Sequence, residues 1–389
     1  MKVEQVAQLT NGALKETRGE TTEILSEDLS NVVQIGKALL TDVQGTENFA
    51  NTLVDRIGKV VVVDRLYTPS DLGIKRDSWD YGSILQKIDS DEVSFENDES
   101  WELKDGKEYN QDVFNKPKVR QLFFNNKVSE QIKMSITRMQ LQSAFTSAEK
   151  LNAFVTMLFN KVANGMSLRD EIRSRETVSH LVASVMHENY PDGKFTDSKA
   201  QAINLLKDYN TTFGQTLTKD KIFTTPEFIR YASYRISEAQ DYMASMSTLY
   251  NVGGRSRFTP KSEQILIMLS PLKNAAKIYL ESDTYHKDLV SLPNFHTIPF
   301  FQMSGANHGL DDISHIKAKI ATKDKTPVEV DVTGVIGILF DKEACGITSE
   351  DPRTTSHYNA RAEFTNYWFK VTSSYFNDLN ENAIVFYVA

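Results

Sequence analysis

The densest grouping of potential metal ligands in the chain is His308-x-x-Asp311-Asp312-x-x-His315, two imidazoles and two carboxylates close together. Such a set could hold a divalent cation. The same residues also read as a turn at Gly309 and a helix start, with Asp311 and Asp312 at the positive end of the helix dipole. The capping reading is the one adopted. His180 and His187 lie seven apart, hence on one helix face, with Glu188 beside the second; on an apolar helix they read as packed or surface histidines before a catalytic pair. Cys345 follows an apolar strand with no histidine motif nearby and reads as a buried thiol. Arg255 and Arg257 stand on a loop, where they are either solvated or grip a carboxylate or phosphate across an interface. Gly253-Gly254 in that loop suits a turn better than a phosphate cradle. Walker A, Gly-x-Gly-x-x-Gly, His-Glu-x-x-His and Gly-x-Ser-x-Gly motifs are all absent. No catalytic, cofactor-binding or metal-binding residue is assigned, no cofactor is expected, and the chain is read as a non-enzyme.

The element that must position everything else runs from Ser147 to Tyr190. Ser147 offers an N-cap, and Leu151, Phe154, Val155, Leu158, Phe159 and Val162 follow at helical spacing. Asn164-Gly165 interrupts, and Ser167 with Asp170 predicts a fresh start or a re-capped kink. The stripe resumes at Leu168, Ile172, Val178, Leu181, Val182, Val185 and Met186, and stops before Pro191. A helix of that length spans on the order of 60 Å. It reads as a spine.

The remaining segments read as arms on that spine. Residues 1–43 are polar with little periodicity: either a mobile tail or an arm that orders only against a neighbouring subunit. Residues 49–59 read as a short amphipathic helix and 60–63, four valines, as a strand. Residues 64–118 carry Trp79, Tyr81, Trp101 and Tyr109 among dense acid, with too few aliphatic residues for a core. They fit an extended hairpin that projects and packs on something else, its aromatic residues serving as contacts. Strands at 119–124 and 128–136 close the excursion. Helices are expected at 199–209, 226–249 and from Pro271 to Tyr279, a buried strand at 264–269, and loops at 251–260 and 305–309. Strands at 328–332, 334–340, 363–375 and 383–388 end the chain, with a polar connection over 341–353.

A chain of 389 residues buries a core easily and suits two or three domains. Its net charge of -8 argues against broad nucleic-acid binding. The apolar runs are too short to cross a bilayer, so no membrane partner is expected. A start without an apolar segment and a single cysteine together fit a reducing cytoplasm.

This order of parts resembles the HK97-like major capsid proteins of tailed phages, and the wording is most similar to the head proteins of phi29-like, small short-tailed phages. The resemblance lies in Thr52-Leu53-Val54-Asp55-Arg56-Ile57-Gly58 with its valine strand and in Pro117-Lys118-Val119-Arg120-Gln121-Leu122-Phe123-Phe124. It continues in Leu141-Gln142-Ser143-Ala144-Phe145, Leu151-Asn152-Ala153-Phe154-Val155, residues 267–288 and Gly337-Ile338-Leu339-Phe340-Asp341-Lys342-Glu343. Tyr367-Trp368 and Asn382-Ala383-Ile384-Val385-Phe386-Tyr387-Val388 complete it.

The resemblance implies an α+β, HK97-like capsid fold. In it 1–45 is an N-terminal arm, 46–63 opens a peripheral domain, and 64–130 is an extended loop reaching over a neighbour. The peripheral domain with its spine helix occupies 131–190, the axial domain 191–315 and returning strands 316–389. It implies self-assembly through pentamers and hexamers into an icosahedral shell, with a separate scaffolding protein, a portal protein and enclosed double-stranded DNA held without sequence-specific contacts. The place of action would be the virion, after assembly in the host cytoplasm. Some relatives add an immunoglobulin-like domain or a long N-terminal scaffold segment, and neither is expected here. An encapsulin-like compartment shell is the alternative, and a metal enzyme built on His308, Asp311, Asp312 and His315 a weaker one.

Overall fold

Apolar spacing divides the protein into two units with separate cores. The computed structural model describes residues 3–18, 24–40, 43–59, 71–76, 85–90, 98–109, 111, 112, 114, 116, 119–280, 295–302, 309–321, 326–349 and 352–389. The first unit comprises 1–71, 127–174 and 348–374; the second comprises 72–126, 175–347 and 375–389. The valine strand expected at 60–63 lies outside the described residues.

In the first unit, helices Val3–Arg18, Val32–Leu40 and Val43–Lys59 pack with strand Asn126–Thr137, helix Arg138–Ala144 and the start of the spine. Their core holds Leu14, Leu39, Phe49, Leu53, Val155, Phe159 and Tyr367. The expectation of a mobile or neighbour-ordered segment over 1–43 is corrected here, because Val6, Ala7, Ala13, Leu14, Val32 and Ile35 are buried within the chain's own core. Asn11 ties the connection down, accepting from the Leu25 amide at 2.7 Å and donating to the Leu25 carbonyl at 2.8 Å. Thr137 and Gln140 form a reciprocal capping box at the start of helix Arg138–Ala144.

The spine is one helix, Ala148–Asn189, and Ser147 caps it through the Lys150 amide at 3.3 Å. The fresh start expected near Asn164-Gly165 is not there: the helix runs through it. A Cβ on Gly165 would come within 2.8 Å of Ile132 Cδ1, so the glycine admits the neighbouring strand instead of breaking the helix. A second correction concerns Leu168 and Ile172, which the apolar stripe places inside. Both are exposed, while Ser167, Glu171, Ser174 and Arg175 are buried. On another side of the helix, Arg169 at 3.0 Å and Arg173 at 2.6 Å reach Glu130 of strand Asn126–Thr137. Those two guanidiniums, Arg173 foremost, hold the Glu130 carboxyl below its usual range against the opposing effect of burial.

The second unit is built on a five-stranded sheet in the order Ala202–Asn204, Ala383–Tyr387, Val335–Asp341, Gln264–Leu269 and Phe295–Ile298. Every residue of Ala383–Tyr387, Val335–Asp341 and Gln264–Leu269 is buried. Alternation sends Ile265, Ile267, Ile338 and Val385 to one face, against Val178, Leu181, Val185 and the hairpin Ile316–Ala321/Pro327–Val332. Leu266, Met268, Leu339 and Phe386 go to the other, against helices Leu205–Phe213, Pro226–Ala244 and Ser270–Leu280. Covering both faces explains why these strands read as continuous apolar runs. Two expectations shift in detail. The stretch read as helix from 199 begins with the strand Ala202–Asn204, and Cys345–Ser349 is a strand within the stretch read as a polar connection.

Candidate assembly surfaces

Strands Leu85–Ser90 and Val119–Phe124 form an antiparallel hairpin in which Lys87 faces Leu122 and Asp89 faces Arg120 across the ladder. Side chains alternate between its two faces. One face carries Lys87 and Asp89, both half-buried; the other carries Ile88, Val119 and Phe123, exposed by 63%, 59% and 60%. The hairpin therefore turns Lys87 and Asp89 toward the subunit beside Leu122 and Phe124, and leaves Ile88, Val119 and Phe123 open to solvent among Gln86, Ser90 and Gln121. No described side chain in either strand is fully buried. On the inner face, Phe124 meets Phe376 with ring centroids 5.3 Å apart.

Between the two strands in sequence, residues 98–109 make a small ordered turn. Asp98 caps the single turn Glu99–Trp101 through the Ser100 amide at 2.9 Å, and the Lys104 amide donates to the Tyr109 hydroxyl at 3.0 Å. Lys107 pairs with Glu99 at 2.6 Å. On this frame Trp101 is 88% exposed, and Phe114 beyond it 85%. Exposed aromatic residues on a locally ordered turn are suited to protein contact. Trp79 and Tyr81, expected to act with them, lie outside the described residues.

The inner face is held by ions. Lys87 Nζ lies 2.8 Å from Asp378 and 2.6 Å from Glu381, in the turn before strand Ala383–Tyr387. Asp89 receives both Arg255 and Arg257, and Arg257 also approaches Glu381 at 3.8 Å. Burial raises the Asp89 carboxyl, but hydrogen bonds and charge from Arg257 and Arg255 outweigh it and the net shift is down. Burial likewise opposes the charge on Lys87, and Asp378 and Glu381 overcome it, leaving its ammonium above the usual lysine range.

The loop carrying the two arginines is braced from behind. Asn251 accepts from the Arg255 amide at 2.8 Å and donates to its carbonyl at 2.7 Å. Thr259 donates to Asp341 at 2.7 Å and accepts from Asn382 at 3.2 Å. Asp341 is itself shifted up, because burial outweighs its hydrogen bonds from the Glu343 amide and Thr259. Gly254 has φ +62°, and a Cβ on Gly253 would overlap Asn380 Oδ1 at 2.4 Å, so the glycine pair makes a turn, as the sequence suggests.

Arg255 and Arg257 thus do grip a carboxylate, but it is the chain's own Asp89 rather than one across an interface. Lys87, Asp89, Asp378 and Glu381 were not singled out by sequence reasoning. The available signal was Lys87-x-Asp89, two opposite charges at strand spacing within an otherwise acidic stretch. His308 lies outside the described residues. Asp311 and Asp312 occupy the first turn of the short helix Leu310–Ile313, and His315 pairs with Asp331 at 2.7 Å. Among the described residues no group of three or more histidine, cysteine or acidic side chains is placed to hold a metal ion. His180 is half-buried, and burial lowers its pKa against the opposing charge of Glu176. Cys345 is fully buried, its thiol pushed up to about 12.

The Phi29-like phage major capsid protein family matches residues 6–387. The chain belongs to that family. The capsid protein is 30% identical over 145 residues to the major capsid protein of Bacillus phage GA-1, a stretch covering 37% of this chain and 29% of that protein. The match thus spans less than a third of the length of that curated relative. Among solved structures, a chain from "Structure of head fiber and inner core protein gp22 of native bacteriophage P68" has a TM-score of 0.53 at 10% identity, over 85% of this chain and 87% of that one. A chain of the capsid structure of Staphylococcus phage Andhra has a TM-score of 0.49 at 13% identity, over 85% and 88%. The capsid protein has the α+β, HK97-like fold that the resemblance implies, and as a capsid component it resides in the virion. The comparisons favour the phage reading over the encapsulin-like alternative.

Proposed function

We propose that copies of this chain assemble through pentamers and hexamers into the icosahedral shell around a double-stranded DNA genome, and that the hairpin over 85–124 reaches over a neighbouring copy. The observation that carries this reading is the apolar surface the hairpin leaves open to solvent. Exposing Ile88, Phe123, Trp101 and Phe114 to water is unfavourable by roughly 25 cal/mol per Å², and a second subunit that covers them removes that cost. Each such contact is modest, and a closed shell multiplies it. Residues 1–45 then correspond to an N-terminal arm whose described helices pack into its own subunit's core, 131–190 to the peripheral domain, 191–315 to the axial domain and 316–389 to returning strands. A separate scaffolding protein and a portal protein are the further partners, with assembly in the host cytoplasm. The role is structural, not enzymatic. A net charge of -8 would keep the wall from adhering to packed phosphates, so the DNA is held without sequence-specific contact.

The test is a deletion of residues 91–118, closed with a two-residue turn. A wider cut from residue 70 would remove Leu72 and Ile74, which belong to the second unit's core. The shortened chain, co-expressed with the scaffolding protein, should stay folded and yield no stable shells by sedimentation and electron microscopy. Normal shells would refute the role given to the hairpin.

A further inference from the structure

A projecting hairpin can serve assembly only if it leaves the subunit in a defined direction. In this protein apolar packing contributes only in part, since neither strand has a fully buried described side chain and the inner face offers half-buried Leu122 and Phe124, the latter against Phe376. What holds the inner face is a set of six charges, two of its own and four from two other parts of the second unit. Lys87 and Asp89 come from the hairpin, Arg255 and Arg257 from the braced loop, and Asp378 and Glu381 from the turn after Phe364–Asn377. Three are positive and three negative, so the set closes on itself. The side chains of Asp89, Asp378, Glu381 and Arg255 are nearly covered.

We propose that Lys87 and Asp89 are positioning residues for assembly: their ion pairs with the 255–257 loop and the 378–381 turn set the direction in which the hairpin presents its apolar face. The inference rests on the shell reading above. Buried ion pairs contribute little net stability, because desolvation offsets most of the attraction, but they penalise every geometry in which a charge is left unpaired. An apolar seat of the same area would tolerate sliding and rotation. Two alternating charges on one strand, each meeting a different partner segment, fix both register and rotation. Lys87 alone would act as a pivot; with Asp89 two residues on, the strand is held at two points. The brace of Asn251 and Thr259 behind the arginines gives the seat its rigidity.

The test compares Asp89→Asn, Lys87→Met, Lys87→Arg and Arg257→Gln in the full chain. Three readouts are taken: thermal unfolding of the free subunit, amide hydrogen exchange, and shell yield with the scaffolding protein. Asp89→Asn, Lys87→Met and Arg257→Gln should raise exchange at residues 86–90 and 119–124 by about tenfold or more, while strands 264–269 and 335–341 keep their protection. Shell yield should fall with them, and Lys87→Arg, which keeps the charge, should restore it. Equal exchange and equal yield in Asp89→Asn and Lys87→Met would overturn the proposal. So would a Lys87→Arg variant as defective as Lys87→Met. If the unaltered chain forms no shells, the shell reading fails, and exchange in the free subunit still decides whether these charges hold the hairpin.

Discussion

The central sheet of the second unit and the hairpin seated on the segments leading into it are opposite answers to holding a strand. In Val335–Asp341 every side chain is buried and both faces are apolar. In Leu85–Ser90 none of the described side chains is, and its inward Lys87 and Asp89 are held by ion pairs. Burial makes the sheet stable and indifferent to partners. Ionic seating makes the hairpin directional and leaves its apolar face free for another subunit. Stability and assembly are thereby separated into different residues of one chain.

The largest effect should come from the sheet. Phe340→Ala removes a fully buried ring and should cost about 3–5 kcal/mol in denaturant unfolding of the free subunit. A loss under about 1 kcal/mol would mean that the sheet is not the seat of stability.

Acid should separate the two regions next. Asp89 is depressed, so its contribution is present above the ordinary carboxylate value, about 3.9, and is lost as pH falls through its lower folded value. Lys87 is raised, so its contribution holds below the ordinary lysine value and is lost only as pH rises through its folded one. Asp341, at the sheet, is raised and has the opposite sign to Asp89: its contribution is present in acid and is lost as pH rises through its folded value. Lowering the pH below the usual carboxylate range should release the hairpin while the sheet persists. Exchange rates corrected for the intrinsic effect of pH would show this, and simultaneous loss of protection would contradict it.

The smallest effect on the free subunit should come from the outer face. Ile88→Ser with Phe123→Ser should change unfolding free energy by no more than about 0.5 kcal/mol, as exposed positions do, yet reduce shell yield severely. Unchanged yield would remove the outer face from the assembly surface.

Sequence spacing revealed much of this architecture. The spine, the buried strand over 264–269 and the strand over 335–341 were legible because each has strong periodicity or a continuous apolar run. The helix Val3–Arg18 was not, since its buried face is made of Val6, Ala7, Thr10, Ala13 and Leu14, three of them small or polar. Asn164-Gly165 misled because local propensity was overridden by the close approach of Ile132. The exposed aromatic residues of the hairpin were visible as a stretch unable to form its own core. Its ionic seat was not, because Asp89 and Arg255 are 166 residues apart and Lys87 and Glu381 are 294. No local period couples charges so distant; only the fold does.

The parallel pairing of Val385 with Ala202 sets a clock on synthesis. The strand Ala383–Tyr387 lies between Ala202–Asn204 and Val335–Asp341, so the sheet cannot close until the ribosome has added about 180 residues beyond the first of them, roughly 10–40 s at ordinary elongation rates. Ile265 and Ile267, and later Leu339, emerge within that interval and lack a strand to complete their layer until Ala383–Tyr387 is made. The outer face of the hairpin is thus made before the sheet that anchors its seat, and the apolar strands of that sheet stay adhesive until the last one is added.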